Sequence, residues 1–266
     1  MSTELRDSVG DPARDDARLA LACLDLTSLN GGDDAAAIDA LCARARGPLG
    51  APAAVCVWPR FVARARAALP PAVKVAAVAN FPAGGTDVAA AVADARAIVD
   101  AGGDEVDLVL PWRALAAGDG AAAAAVVAAV RAACPGHTLK LIVESGELDA
   151  DTLAAACRLG LDAGVDFLKT STGKTAHGAS SDAARAMLQA IATHPRGAAV
   201  GFKASGGIRS VADAAVYIAL VRALLGPAAL TPARLRFGAS GLLGDIARVL
   251  GGGAADAGTA AGPAAY

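Results

Sequence analysis

The sequence of 266 residues contains little lysine, few aromatic residues and few histidines. Aromatic residues make up 3% of the chain, which leaves no platform of rings on which nucleic acid bases could stack. The histidines, His137, His177 and His194, lack the spacing of metal ligands, so no metal site is expected. No run of about 18 strongly apolar residues occurs, so no membrane-spanning helix is predicted. The low lysine content is the most informative of these features, because arginine supplies most of the 24 basic residues.

Charge and cysteine content favour a cytoplasmic protein. The formal net charge is −2, so we expect no basic field that would attract nucleic acid or an anionic membrane. The cysteines never form a C-x-x-C pair, which favours free thiols in a reducing compartment. The polar start of the sequence has no apolar signal core. Cys56, near the end of a predicted strand, is either core filler or a reactive thiol at the edge of a pocket.

Short apolar runs alternate with alanine-rich helical stretches along the chain. The predicted strands cover residues 21–26, 53–58, 73–79, 105–110, 139–144, 166–171, 200–205 and 235–240. Apolar strands that alternate with helices are typical of parallel sheets buried on both faces. Eight such units predict a single-domain α/β protein with the (β/α)8 TIM-barrel fold; an open doubly wound sheet is the alternative. We expect residues 1–17 to form an N-terminal extension, 18–250 the barrel, and 251–266 a flexible C-terminal tail.

Two of the rare lysines lie in stretches rich in Gly, Ser and Thr, Lys169 in DFLKTSTGK and Lys203 in GFKASGGIR. A guanidinium stays protonated, whereas a lysine amine can lose its proton and form a Schiff base with a carbonyl substrate. In a barrel these lysines, with Asp25 and Asp107, would face the mouth at the C-terminal ends of the strands. Two close lysines disfavour each other's protonation, so one would be the nucleophile and the other the perturbing charge. Structural Asp–Lys pairs are the alternative interpretation.

Glycine-rich loops after the seventh and eighth predicted strands indicate an anion site. SGGIR (205–209) and GASG (238–241) leave backbone amides at the start of a helix, where the helix dipole favours negative charge. Barrels commonly bind phosphate at these two loops, and Lys174 would add a cation. We therefore expect a small phosphorylated substrate. No nucleotide-binding motif follows a strand, so no nucleotide cofactor is expected. Lys74 and Lys140, near strand starts, are expected to lie away from the mouth.

Eight blocks of the sequence together resemble deoxyribose-phosphate aldolases, and they occur in that family's order. The blocks are DLTSLN (25–30), VCVWPRFV (55–62), VANFPAGG (78–85), DEVDLVLPWRAL (104–115), LKLIVESGEL (139–148), AGVDFLKTSTGK (163–174), VGFKASGGIR (200–209) and RFGASGLL (236–243). The resemblance implies a class I aldolase that needs no metal and no cofactor. Such an enzyme reversibly cleaves 2-deoxy-D-ribose 5-phosphate to acetaldehyde and D-glyceraldehyde 3-phosphate.

The resemblance also implies a role for each matched residue. Lys169 would form the Schiff base, Lys203 would lower its pKa, and Asp107 would exchange protons through water. Asp25 and Thr27 would orient this network. The residues expected to hold the substrate and its phosphate are Thr170, Gly173, Lys174, Gly206, Gly207, Gly238 and Ser240.

The last residue and the partners are further expectations from the resemblance. Tyr266 would take part in proton transfer at the active site, the alternative being a terminus without function. A homodimer is expected, with small phosphosugars and aldehydes as the only other partners and neither nucleic acid nor membrane among them. Another lysine-dependent aldolase or a transaldolase remains an alternative. So does a non-catalytic phosphosugar-binding barrel, although binding alone could use arginine in place of Lys169 and Lys203.

Overall fold

Short parallel strands line the centre of the molecule. The structure is a computed structural model that describes residues 11–251. The strands are β1 Leu24–Thr27, β2 Ala54–Val57, β3 Lys74–Ala79, β4 Glu105–Val109, β5 Thr138–Ile142, β6 Phe167–Lys169, β7 Gly201–Ser205 and β8 Leu235–Ala239. Each of them overlaps one predicted strand, so the predicted alternation along the chain is confirmed.

Helices connect the strands, and most begin at a polar capping residue. They are α1 Pro12–Ala22, α2 Ala35–Ala45, α3 Val62–Ala68, α4 Val88–Asp100, α5 Trp112–Ala116, α6 Gly120–Ala133, α7 Ala150–Asp162, α8 Ser181–Thr193, α9 Val211–Leu225 and α10 Leu242–Leu250. Asp34, Asp87 and Asp149 accept a hydrogen bond from a backbone N–H in the first turn of α2, α4 and α7. Such caps satisfy donors that a helix start otherwise leaves unpaired.

The eight strands form a closed barrel in sequence order, with β8 paired to β1. Every strand pair is parallel. A helix leads from each strand to the next, and the parallel direction of the strands brings all their carboxyl ends to one rim. The (β/α)8 prediction is therefore confirmed, and the open doubly wound alternative is wrong.

The two faces of the strands are both buried but differ in chemistry. Side chains alternate in direction along a strand, so every second residue points outward. The outward residues, such as Leu24, Leu26 and Leu168, belong to the apolar core between the barrel and its helices. The inward residues include Asp25 and Lys203, which are fully buried. The interior of the barrel is thus a charged core surrounded by an apolar one.

Helix α1 packs against the outside of the barrel, where it contacts α9 and α10. Its residues Ala17, Ala20 and Leu21 are buried, and Arg14 donates to the carbonyl of Leu250 at 3.0 Å. The expected boundary between residues 17 and 18 falls inside this helix. Within residues 11–251, none of the helices is long and apolar enough to cross a membrane.

Candidate active site

Strand register brings the predicted lysines and aspartates to one point inside the barrel. Lys169 is the last residue of β6 and is the direct register partner of Lys203 in β7. Asp25 of β1 lies beside Gly238 of β8, and Asp107 enters from β4. All four charged residues are buried. Their convergence from four strands matches what the sequence pattern predicts.

Asp107 binds both lysines through the same oxygen. Its Oδ2 accepts from Lys169 Nζ at 2.9 Å and from Lys203 Nζ at 2.7 Å. Lys203 also donates to Asp25 Oδ2 at 2.5 Å. Lys203 therefore lies between two carboxylates, whereas Lys169 contacts Asp107, a carboxylate that it shares with Lys203.

A second level of buried charge lies beneath these residues. Lys140 donates to Asp107 Oδ1 at 2.8 Å and to Glu105 Oε2 at 2.5 Å. Arg236 binds Asp25 Oδ1 at 2.7 Å and Glu105 Oε1 at 2.8 Å. Lys140 lies below the level of Lys169 in the barrel, yet its long side chain reaches Asp107, the carboxylate that holds Lys169.

Lys74, the other lysine expected away from the mouth, is an exposed residue at the start of β3. Its ammonium lies 3.5 Å from Asp104 Oδ1, and its side chain is 47% exposed. Lys74 shares the strand parity of the inward residues Ala76 and Val78, but it is the first residue of β3 and stays exposed at the N-terminal end of the barrel. Lys140 is the third residue of β5 and is fully buried, so depth along the strand separates the two lysines.

The two central lysines have opposite tendencies to hold a proton. Burial lowers the pKa of Lys169, and the neighbouring Lys203 ammonium lowers it further against the opposing carboxylate of Asp107. Burial also acts to lower the pKa of Lys203, but the carboxylates of Asp107 and Asp25 outweigh it and raise that pKa. An amine is nucleophilic only when neutral, so the environment favours Lys169 over Lys203 as a nucleophile.

The aspartates of the cluster are held ionised. Burial would raise the pKa of Asp107, but Lys140, Lys169 and Lys203 overcome this and hold it well below its ordinary value. Lys203 and Arg236 act in the same way on the buried Asp25 and lower its pKa. Both carboxylates therefore accept hydrogen bonds and act as counter-ions at neutral pH.

The glycines predicted to bind phosphate lie in the loops after β6 and β7 and near the end of β8. Gly173, Gly206 and Gly207 have φ values of 73°, 87° and 88°, which side chains rarely adopt. A Cβ on Gly206 would also lie 3.0 Å from the Cα of Gly178 in the loop after β6. The chain can thus turn tightly here and keep its backbone accessible.

The remaining residues of the predicted phosphate site lie beside these turns. Gly238 packs so closely that a Cβ would lie 2.9 Å from that of Ser205. Ser240 is half-buried, precedes α10, and accepts a hydrogen bond on its carbonyl from Arg44 at 3.2 Å. Lys174 is partly buried, and burial lowers its pKa, against the opposing charge of Asp33.

Glu144, which lies just beyond β5, organises the loop after β6. Its backbone is left-handed, with φ 57°, and its side chain is buried. The carboxylate accepts from the N–H of Thr172 at 3.0 Å and from its hydroxyl at 2.6 Å. Thr172 in turn accepts from the N–H of Lys174 at 3.0 Å. A buried acid thus connects the end of β5 to the predicted phosphate loop.

Two predicted threonines use their hydroxyls within the protein. Thr27 Oγ1 donates to the carbonyl of Asp25 at 2.8 Å. Thr170 Oγ1 donates to the carbonyl of Ser205 at 2.9 Å and accepts from the N–H of the same residue at 3.0 Å. The Thr170 hydroxyl therefore joins the end of β6 to the end of β7, one residue after Lys169 and two residues after Lys203.

The β2 and β3 side of the barrel interior is apolar. Cys56 belongs to a small buried cluster with Leu29, Ala76 and Val78, against which Trp58 and Phe81 pack. Burial, with a smaller contribution from Asp107, raises the pKa of the Cys56 thiol to about 11. Cys56 thus lies within reach of the charged cluster, but its environment suppresses the thiolate.

A family model matches this architecture and these motifs. The model described as DeoC/LacD family aldolase matches residues 19–242. The chain belongs to the DeoC/LacD family of aldolases. The family inferred from the sequence blocks is confirmed by this match.

Relatives of this DeoC/LacD aldolase cover nearly its whole length. The deoxyribose-phosphate aldolase of Agrobacterium fabrum (strain C58 / ATCC 33970) is 46% identical over 244 residues, which are 90% of this chain and 93% of that protein. A Coccidioides immitis crystal structure, provisionally described as a deoxyribose-phosphate aldolase, has a TM-score of 0.75 at 31% identity and covers 86% of this chain and 85% of its own. A Toxoplasma gondii ME49 structure described in the same way has a TM-score of 0.83 at 23% identity over 91% and 96%, which supports the fold alone.

The sequence of this DeoC/LacD aldolase did not point to four charged residues of the site. It also predicted a role for one residue that lies outside the described part of the chain. Lys140, Glu105, Arg236 and Glu144 had no assigned role, although the inward parity of Glu105 follows from its spacing of two from Asp107. The proposed role of Tyr266 stays a prediction, because that residue lies outside residues 11–251.

Proposed function

We propose that this aldolase reversibly cleaves 2-deoxy-D-ribose 5-phosphate to acetaldehyde and D-glyceraldehyde 3-phosphate, with Lys169 as the Schiff-base lysine. The observation that carries the proposal is the shared contact of Lys169 and Lys203 with one oxygen of Asp107. The lowered pKa of Lys169, which results from burial and from the Lys203 charge, supports it. The name and high identity of the Agrobacterium fabrum relative support the substrate.

The reaction begins at the neutral amine of Lys169, which attacks C1 of the open-chain sugar. Loss of the carbonyl oxygen as water gives the protonated Schiff base. Removal of the C3 hydroxyl proton then breaks the C2–C3 bond, whose electron pair forms the C1–C2 double bond of an enamine. C3 leaves as the aldehyde carbon of glyceraldehyde 3-phosphate. Protonation of C2 and addition of water release acetaldehyde and regenerate the amine.

Asp107 and Lys203 assist these proton transfers. Asp107 accepts hydrogen bonds from both lysines, so a water bound at the same carboxylate could exchange protons with the substrate. Lys203 stays protonated between Asp25 and Asp107, which keeps a positive charge beside Lys169 throughout. Asp25 fixes the position of Lys203, and Thr27 supports the backbone of Asp25.

The substrate phosphate binds at the rim loops. We expect the backbone N–H groups of Gly173, Gly206 and Gly207 to hold the phosphate, with Lys174 as the cation and the start of α10 adding the helix dipole. Gly238 near the end of β8 and Ser240 just after it complete this site. Thr170 contributes by joining β6 to β7, since its hydroxyl is already paired with Ser205.

Reductive trapping tests this proposal directly. The protein is incubated with deoxyribose 5-phosphate and borohydride, and the adduct is located by peptide mass spectrometry. We expect a stable mass increase on Lys169 and none on Lys140, a lysine buried in the same cluster that serves as an internal control. Lys169→Arg should keep the fold and the charge but lose the adduct and turnover.

Three outcomes would contradict the proposal. An adduct on Lys203 would exchange the roles of the two lysines. No adduct on any lysine would favour a non-catalytic phosphosugar-binding barrel. Faster turnover of a different phosphosugar would favour another lysine-dependent aldolase or a transaldolase.

The expected assembly and location are part of the same proposal. We expect a cytoplasmic homodimer, as the family resemblance implies. Light scattering coupled to size-exclusion chromatography measures the mass in solution, and a value of one chain or of four chains would refute the dimer.

A further inference from the structure

The barrel interior holds more positive than negative groups. Within the part of the chain that the structure describes, this connected cluster contains three carboxylates and four bases, namely Asp25, Glu105, Asp107, Lys140, Lys169, Lys203 and Arg236. All seven side chains are buried. A buried net charge is costly, so one base of the set is under pressure to lose its proton.

The contacts of the four bases indicate which of them loses its proton. Arg236 binds two carboxylates and cannot be deprotonated in a protein. Lys203 binds two carboxylates, and Lys140 lies within 4 Å of three. Lys169 has one carboxylate contact in the cluster, to Asp107 Oδ2, which Lys203 also binds. Loss of its proton leaves three cations beside three carboxylates.

We propose that Glu105 and Arg236 are positioning residues of this aldolase, which set the charge balance beneath Lys169 and so govern how readily it presents a neutral amine. Neither residue touches Lys169. Glu105 acts through Lys140, and Arg236 acts through Asp25, which holds Lys203. The inference rests on the proposed role of Lys169 as the reacting lysine.

The groups that face Lys169 act in known directions. Asp107 from β4 favours its charged form, and Lys203 from β7 disfavours it. Cys56 from β2 and Glu144 beyond β5 also lie within electrostatic reach. These four residues are kept when Glu105 or Arg236 is replaced. A shift in the titration of Lys169 in such a variant therefore results from the charged residues beneath the site.

Single substitutions at the two positions should move Lys169 in opposite directions. Glu105→Gln removes a negative charge, so the remaining excess of positive charge drives the proton off Lys169 more strongly. Arg236→Met removes a positive charge, which lets Lys169 keep its proton without a net charge in the cluster. The double variant loses one charge of each sign and restores the original balance.

The experiment measures the rate of reductive alkylation of Lys169 by acetaldehyde and cyanoborohydride across a pH series, read by peptide mass spectrometry. We expect the rise of the rate with pH to shift to lower pH in Glu105→Gln and to higher pH in Arg236→Met. In the double variant it should return close to the position of the unmodified protein. Arg236→Lys, which keeps the charge but not the planar fork, should leave the position of the rise unchanged.

A surface pair supplies a matched control for general effects of charge. Arg64 binds Asp39 through two parallel hydrogen bonds on the outside of the barrel, so Arg64→Met should leave the rise in place. A purely structural role for Glu105 and Arg236 predicts lower rates with no opposite shifts, and that result would overturn the inference. Failure of the proposed function has a different signature, since the unmodified protein would then form no adduct on Lys169.

Discussion

Replacement of Glu144 by alanine should loosen the loop proposed to bind phosphate while leaving Lys169, the proposed reacting lysine, in place. The carboxylate of Glu144 accepts two hydrogen bonds from Thr172, at 3.0 and 2.6 Å, and Thr172 supports the N–H of Lys174. Glu144→Ala removes both bonds and leaves the buried N–H of Thr172 without this partner. The loop that carries Gly173 and Lys174 then loses its connection to β5.

The size of the effect follows from those two bonds. A hydrogen bond to a charged group contributes about 1.5–3 kcal/mol, so the pair contributes about 3–6 kcal/mol. Burial raises the pKa of Glu144, which means that its charged form has a desolvation cost that alanine would not carry. We therefore expect Glu144→Ala to lower the free energy of unfolding by about 2–4 kcal/mol.

Activity on two substrates distinguishes an effect on this loop from an effect on the proposed reacting lysine. We expect Glu144→Ala to raise KM for deoxyribose 5-phosphate by about tenfold or more, which corresponds to about 1.4 kcal/mol of lost binding. Turnover of unphosphorylated deoxyribose, which does not use the phosphate site, should change much less. Urea denaturation measures the stability of the same preparations.

Glu144→Gln is the matched control, because it removes the charge but keeps an oxygen that can accept from Thr172. If the loop connection matters, Gln should cost about 1 kcal/mol of stability and raise KM less than Ala does. Equal effects of Ala and Gln would assign the role to the charge of Glu144. An equal loss of activity on both sugars would refute the reasoning altogether.

Three further predictions concern the barrel interior. Burial and the Lys203 ammonium lower the pKa of Lys169, so Lys203→Met should shift the pH rise of reductive trapping at Lys169 to higher pH; an unchanged rise would contradict the electrostatic role. Gly238→Ala places a Cβ 2.9 Å from that of Ser205 and 3.1 Å from Lys203 Cε, and should cost about 1–3 kcal/mol in urea denaturation; unaltered stability would show that the strands can shift without cost. Since burial raises the pKa of Cys56 to about 11, alkylation of this thiol by iodoacetamide in the folded protein should be slow at neutral pH and should rise towards that pH; fast alkylation at neutral pH would show that the thiolate is stabilised.

The strand pattern could be predicted from the sequence because each strand is a short apolar run between turn residues. The errors lie at the ends. The first strand was expected over residues 21–26, but α1 continues to Ala22, so β1 begins at Leu24. The sixth was expected over 166–171, but β6 ends at Lys169, although Thr170 still donates its backbone N–H to the carbonyl of Lys203 and joins Ser205 through its hydroxyl.

The charged residues nearest the mouth could be predicted from their residue types. The deeper charged residues could not, because their contacts depend on how far their side chains extend. Lys169, Lys203, Asp25 and Asp107 stand in apolar strands, where a charge without a partner would be costly. Lys140 also stands in such a strand, but the rule that sites lie at strand ends placed it too far away. Lys140 is the register partner of Asp107 and lies two strand residues below Ile142, the register partner of Lys169, so its side chain bonds to Asp107 from below.

Contacts between loops are not encoded in a local pattern. Glu144 follows an apolar strand, and nothing in its neighbours indicates that it binds a residue far along the chain. Such a contact depends on the parallel pairing of β5 with β6, which brings the ends of these two strands together.

The two halves of the chain contribute buried charges of opposite sign to the barrel interior. All three carboxylates, Asp25, Glu105 and Asp107, come from β1 and β4, and all four bases come from β5 to β8. Each half-barrel alone would bury charges of a single sign, which repel each other. The halves are therefore complementary in the way that two oppositely charged subunits are, and only their union gives either one a stable interior.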